Sequence, residues 1–357
     1  MGNIQDSTLI EVLTHYGIES PTKIESFGKG LINTTWKIST PANKYIFQKL
    51  NLSVFKNPEA IDHNIRIIGQ YLKKTAPEYL FTDPIESIHG KDLMRDQYGN
   101  CYRLFPYIEN TYSVDVVENP EQAYFAAKAF GEFTRLTHGL DLAQLRITIP
   151  HFHNLSFRYE EFFWAIHRTD DLKKNLAKEE IHFLSENRSI ALEYELIKKD
   201  PEFKLRVTHH DTKINNVLFE SQRKVSCIID LDTVMPGYFI SDLGDMIRTY
   251  SSPVSEEETD LEKVKIRAEL LDFIIQGYLS EMENILSPLE KKYLHYSGKY
   301  MIYMQAMRFL TDYLNGDVYY KSQFPGQNLI RAKNQIQLYK ELMKFKDYFN
   351  NLHPGQR

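Results

Sequence analysis

The stretch VTHHDTKINNVLF, Val207 to Phe219, most narrows what this chain can fold into. An apolar, strand-like residue is followed by two histidines, an aspartate, a lysine and two asparagines, and then the chain turns apolar again. VLF (residues 217–219) and VSCII (residues 225–229) read as strands, and the polar ESQRK between them reads as a turn. Paired as a hairpin centred on Arg223, they bring Asn216 and Asp230 opposite each other at the open end. Asp211 lies one short loop before Asn216. An amide oxygen beside a carboxylate is an oxygen-only pair that suits Mg²⁺, with phosphate oxygens completing the shell. A further carboxylate that the metal does not consume is placed to accept a hydroxyl proton.

Phosphoryl transfer explains why these groups are compressed into one block: it needs a base and metal ligands within a few ångströms of each other. The plainer alternative is a buried, hydrogen-bonded turn, and the ordered set of four polar types argues against it. Within the block, His209 is expected to orient the loop from beneath, and His210 is read as a neighbour without a role. Lys213 is either solvated or placed to offset charge on the transferred group. Asp232, in IIDLD, is expected to support the metal or contact the substrate. Asp242 and Asp245 precede a helix, where a cap and a first-turn acid belong, and neither is expected to be catalytic.

The rest of the chain divides by pattern. KIESFGKGLINTTWKIS reads as two strands around a glycine turn, and KYIFQKLN as a third. A helix follows: Asn57 caps it, Pro58 takes its first position, and Ile61, Ile65, Ile68 and Leu72 recur at helical spacing. Two more strands lie between SIHG and CYRLFPYIEN. From about Pro120 helical periodicity dominates, in residues 121–140, 156–168, 178–199, 261–282 and 289–314. The expectation is an α+β chain of two lobes, a small antiparallel sheet with one helix over residues 1–107 and a mostly helical lobe over 108–357. The crevice between them is the expected ligand site.

Composition excludes several classes. The 357 residues carry a formal charge of −5 with both signs mixed, which gives nucleic-acid binding no electrostatic support. No apolar run approaches the roughly 18 residues of a membrane span. MGNIQDSTLI has no signal-peptide pattern, and Asp6 stands where a myristoylation motif wants Ser or Thr. Cys101 and Cys227 lie in apolar runs without a CxxC, as buried thiols of a reducing compartment do. A cytoplasmic protein, monomeric or homodimeric, is expected, with no nucleic-acid or membrane partner.

His209-x-Asp211-x-Lys213-x-x-Asn216 matches the order of the kinase catalytic loop, and Asp230 stands where that fold places its second metal aspartate. The block resembles the aminoglycoside phosphotransferase and choline kinase branch of the protein-kinase-like fold. SFGKGLINTTW, YIFQKLN, PHFHN, THHDTKINN, IIDLDTVMPG and MRFLTDYLNGDVYY together resemble the N-acetylhexosamine 1-kinases, from about residue 20 to 340. That resemblance implies that ATP phosphorylates the anomeric hydroxyl of N-acetylglucosamine or N-acetylgalactosamine. It implies Asp211 as the base, Asn216 and Asp230 as Mg²⁺ ligands, and Arg308 and Tyr319 as sugar contacts. Leu31 departs from the pattern, standing where the related kinases carry a histidine that touches the sugar.

Further candidates follow from the nucleotide-binding lobe that this resemblance implies. Gly28 and Gly30 allow backbone to approach phosphates closely. Lys49 takes the place of the strand lysine that holds α- and β-phosphates, with Gln48 as competitor if the register slips by one. Glu59 is either its helix partner or a first-turn acid. Backbone groups of Tyr107 and Ile108 are expected to read adenine. His151 and His153 form an HxH without further ligands nearby, which points to a surface or supporting role. Arg308 on an apolar, Met-rich helix is either ion-paired with a core acid or aimed at the sugar.

Overall fold

The computed structural model describes residues 4–28, 32–320 and 322–345. They form two compact units. The first comprises residues 1–111, 139–150 and 226–236, and the second takes in 112–138, 151–225 and 237–357. The first unit thus runs past the expected boundary at residue 107 and includes two later segments, one of them carrying Asp230 and Asp232.

The first unit holds α1 (Ile4–Thr14), β1 (Lys23–Ser26), β2 (Thr34–Ser39), β3 (Lys44–Lys49), α2 (Pro58–Thr75), β4 (Met94–Arg95) and β5 (Cys101–Pro106). The strands make one antiparallel sheet in the order β1-β2-β3-β5-β4. Side chains alternate across it. One face carries Trp36, Ile38, Phe47, Tyr102 and Leu104, packed against Leu9, Val12, Leu13 and Tyr16 of the α1 region. The sequence reading placed one helix with this sheet. The structure adds α1, which covers its apolar face. Helix α2 starts as expected, with the Asn57 side chain accepting from the Ala60 amide and Pro58 at its first turn. The SIHG stretch makes turns and bends instead of a strand.

The second unit contains α3 (Pro120–Leu136), α4 (Leu155–Arg168), α5 (Asp171–Leu176), α6 (Lys178–Glu186), α7 (Ser189–Lys199) and β6 (Arg206–Thr208). There follow β7 (Val217–Ser221), α8 (Phe239–Tyr250), α9 (Ala268–Met282), α10 (Pro288–Lys292), α11 (Leu294–Leu314) and α12 (Gln327–Met343), while β8 (Lys224–Ile228) and β9 (Met235–Gly237) each have residues on both sides of the division. The hairpin expected around Arg223 is present as β7 and β8. Helix α11 is buried along nearly its whole length among α4, α8 and α12. Glycines permit the tightest crossings: a Cβ on Gly244 of α8 would lie 2.3 Å from the Ser297 carbonyl of α11. One on Gly277 of α9 would lie 2.2 Å from the Tyr124 carbonyl of α3. Both cysteines are buried free thiols, and burial pushes Cys101 up to about 11. No helix among the described residues is long and apolar enough to cross a membrane.

Candidate active site

In the second unit, β6 leads into the loop that carries Asp211. The loop is held by carboxylates of α8. The His209 and His210 amides donate to the two oxygens of Asp242, at 2.9 and 2.8 Å, and the Thr212 amide donates to Asp245 at 3.0 Å. The Thr212 hydroxyl returns to the Asp242 carbonyl at 2.8 Å, and the Tyr250 hydroxyl donates to the Thr212 carbonyl. Burial pushes the Asp242 carboxyl up to about 7 against the pull of its two amide bonds, and burial also raises Asp245. Both acids brace the loop. His209 is fully buried, edge-on to Phe130 with ring centroids 5.1 Å apart, and so lies beneath the loop as expected.

The chemistry-bearing side of this loop is compact. Asn216 donates its amide to the Asp211 carbonyl at 2.8 Å and to Asp211 Oδ2 at 3.1 Å. That orientation turns Asn216 Oδ1, the atom a hard cation wants, away from Asp211. Lys213 Nζ lies 3.2 Å from the same Asp211 Oδ2. Both donors thus reach one oxygen of Asp211 and leave Oδ1 for a hydroxyl.

His210 has a place that sequence reasoning missed. It adopts φ 66 and is buried, with Nδ1 donating to the Thr208 carbonyl at 3.1 Å. A Cβ on Gly237 would meet its Nε2 at 2.4 Å, so the ring needs glycine there. Its centroid lies 5.2 Å from the His153 ring, which stacks on Phe152 at 4.4 Å. Of the HxH pair, His151 is exposed and stacks on Phe157, while His153 turns inward and its Nδ1 is buried without a hydrogen-bond partner. Burial, then the fields of His210, Arg308 and Arg158, hold His153 well below the usual histidine range, so the ring is neutral.

Arg308 lies in the same group. It is 8% exposed, and its guanidinium sits 5.0 Å from the Phe152 ring centroid, 5.4 Å from Tyr320 and 5.7 Å from Tyr319. It accepts no ion-pair partner among the described residues; Gln305 Oε1 receives its Nη1 at 3.2 Å. Asp312 builds the rest of the cage. Its carboxylate accepts the amides of Val318, Tyr319 and Tyr320 at 2.8–3.0 Å and the Asn328 side chain at 3.0 Å. Gly316 and Asp317 take positive φ to make that turn.

In the first unit, Gly28 has φ 74 with open space around its would-be Cβ, so backbone conformation is what requires glycine. Gly30 and Leu31 lie outside the described residues. Lys49 shares its face of β3 with Phe47, the face covered by α1, and its Nζ lies 6.0 Å from the Tyr102 ring. Gln48 points the other way. Its Oε1 accepts Arg103 at 2.8 and 3.0 Å, and Arg103 pairs with Asp232 at 2.5 Å. The other face of the sheet therefore presents Gln48 and the buried Arg103, and the phosphate contact expected of Lys49 conflicts with this register. Asp232 is 1% exposed and also accepts the Asn33 amide at 2.8 Å, so its carboxylate is spent on scaffold, not on metal or substrate. Asp230 is exposed and adopts φ 62, a left-handed conformation that a non-glycine residue rarely holds. Glu59 pairs with Arg95 at 2.6 Å, leaving Lys49 without that helix partner. The Tyr107 amide donates to the Lys44 carbonyl at 3.1 Å, which removes it as a reader of adenine, whereas the Ile108 amide makes no bond among the described residues. Phe27 and Lys37 flank the Tyr107 ring, at 6.0 and 3.9 Å.

A family model described as the phosphotransferase enzyme family matches residues 23–282. The chain belongs to that family. It is a phosphotransferase acting on a hydroxyl acceptor, and kinases of this family use ATP with a divalent metal ion. Solved structures give the fold as protein-kinase-like. An amicoumacin kinase bound to AMP-PNP and Ca²⁺ is 12% identical, with a TM-score of 0.64, over 98% of this chain and 100% of that one. A spectinomycin phosphotransferase bound to ADP and spectinomycin is 16% identical, with a TM-score of 0.58, over 95% and 98%. Ethanolamine kinase from Plasmodium vivax is 15% identical, with a TM-score of 0.60, over 94% and 90%. Among the described residues no group of three or more His, Cys, Asp or Glu side chains is gathered as a metal cage.

Proposed function

We propose that this phosphotransferase is a sugar 1-kinase, which transfers the γ-phosphoryl group of ATP to the anomeric hydroxyl of an N-acetylhexosamine. The Arg308 cage carries the reading. A buried guanidinium ringed by three aromatic side chains repels a cationic acceptor, while offering donors to hydroxyl and acyl oxygens and apolar faces to a sugar ring. Arg308 and Tyr319 are the acceptor contacts, and Asp232 drops out of that set.

Asp211 is the base: with Oδ2 engaged by Lys213 and Asn216, Oδ1 receives the hydroxyl proton. Lys213 carries positive charge to that carboxylate and spreads the charge that develops on the transferred group. Asn216 and Asp230 would hold Mg²⁺, which when bound would screen the charge on the phosphate oxygens. Gly28 and Gly30 allow the backbone to close on the phosphates, and Ile108 supplies the amide that reads adenine.

The alternative is a kinase for another small alcohol, whether hexose, amino alcohol or aminoglycoside. The spectinomycin phosphotransferase and the ethanolamine kinase among the similar structures favour it. ADP release in the presence of ATP and Mg²⁺ separates the two. N-acetylglucosamine and N-acetylgalactosamine should lead a panel that includes glucose, ethanolamine, choline and spectinomycin; a cationic acceptor in first place refutes the reading. Asp211→Asn should lower kcat by about 10²–10⁴-fold with thermal unfolding unchanged, and near-normal turnover would remove the base assignment.

A further inference from the structure

A cavity of about 290 Å³ lies between α4 and Asn315, just past the end of α11. It is smaller than drug-sized pockets, which start at roughly 300 Å³, and its size suits a single sugar ring. Phe157, Glu160, Glu161, Trp164 and Arg168 recur along one face of α4 to line it. Trp164 is 47% exposed, and the Arg168 guanidinium stands 5.5 Å from its ring. Aromatic faces beside carboxylate, amide and guanidinium groups match a carbohydrate, which has apolar ring faces and a rim of hydroxyls.

A chain of contacts leads there from the catalytic loop. His210, next to Asp211, lies 5.2 Å from the His153 ring, and Phe152 stacks on His153 and supports Arg308. Arg158 donates one nitrogen to the Phe152 carbonyl and another, at 2.7 Å, to Glu161 in the cavity wall. Arg158 Nε is buried without a partner. The seven steps from Arg308, through the end of α11, to its C-cap Asn315 rise about 10 Å, the reach of a second sugar ring.

We propose that the cavity is a second sugar subsite and that the acceptor is a disaccharide with an N-acetylhexosamine at its reducing end. This rests on the sugar 1-kinase reading. The reducing-end ring occupies the Arg308 cage, and the second ring packs on Trp164 with hydroxyls on Glu160 and Asn315. The anomeric oxygen forms its bond to the γ-phosphorus as the bond to ADP breaks, and the hydroxyl proton passes to Asp211.

The test compares kcat/KM for N-acetylglucosamine with that for N,N′-diacetylchitobiose. The disaccharide should be favoured about tenfold, a differential of about 1.4 kcal/mol, and Trp164→Ala should bring the ratio towards one. A ratio near one in the wild type, or one preserved in Trp164→Ala, overturns the proposal. Turnover of neither sugar, nor of N-acetylgalactosamine, defeats the sugar 1-kinase reading, and fluorescence then judges the subsite by itself. The chain has two tryptophans, so in a Trp36→Phe protein, shown to be folded by circular dichroism, Trp164 is the sole indole. N,N′-diacetylchitobiose should shift its emission where N-acetylglucosamine does not; unchanged emission with the disaccharide rejects the subsite.

Discussion

Around Asp211 the backbone amides of His209, His210 and Thr212 donate to two carboxylates of α8, whereas beside Asp230 the carboxylate of Asp232 receives the guanidinium of Arg103. Each candidate acid thus has structural carboxylates nearby, held by different chemistry. In the first case backbone dipoles hold Asp242 through two bonds, while Asp245 divides its oxygens between the Thr212 amide and the Arg248 guanidinium. In the second a full charge holds a full charge at 3% and 1% exposure. Removing one partner of a buried ion pair strands the other, while a carboxylate among amides loses only its own bonds. The comparison predicts a graded response.

Arg103→Met should cost the most, about 3–5 kcal/mol of unfolding free energy, because Asp232 is left buried and unpaired. The double variant Arg103→Met with Asp232→Leu should cost less than the single one, as measured by denaturant unfolding. A double variant worse than Arg103→Met would show that packing, not charge pairing, holds the Asp230 segment. Asp242→Asn comes next, at about 1–3 kcal/mol, since the amide offers one oxygen where two backbone donors need acceptors. Its kcat should fall more than its KM for ATP, as the loop that aims Asp211 loosens; an unchanged kcat would make the brace irrelevant to catalysis.

The smallest effect concerns pH. Asp62 is pushed up to about 7 by burial, with the Asp92 carboxylate beside it, and one guanidinium, Arg66, serves both. Between about pH 4 and 7 the folded protein then holds a proton that the unfolded chain has lost, so stability declines as pH rises through that window. Asp242, also raised to about 7, adds a decline of the same sign. Asp62→Asn should make the fall in melting temperature across the window shallower by a few degrees, and an unaltered slope would place the titration elsewhere.

Much of the catalytic loop was legible because its chemistry is local. The acid, lysine and amide proposed for the transfer stand within one loop, so their order in the chain survives as a pattern at Asp211, Lys213 and Asn216. Helix α2 was legible for the same reason, from a cap and an apolar period. Helix α1 was missed: its first turns are polar, and its apolar side chains gain meaning only against the Trp36–Phe47 face of the sheet. His210 carries no signal in sequence; its role comes from Gly237 and His153, brought close by folding.

The chain by itself determined which residue types meet in the reactive loop and that Gln48 and Lys49 must point to opposite faces of β3, since consecutive side chains of a strand alternate. Which of those faces is covered was decided by the packing of α1, a contact between segments that no local rule connects. The same holds for Arg103 and Asp232, 129 positions apart: a buried guanidinium needs a carboxylate, but only the folded chain chooses which one.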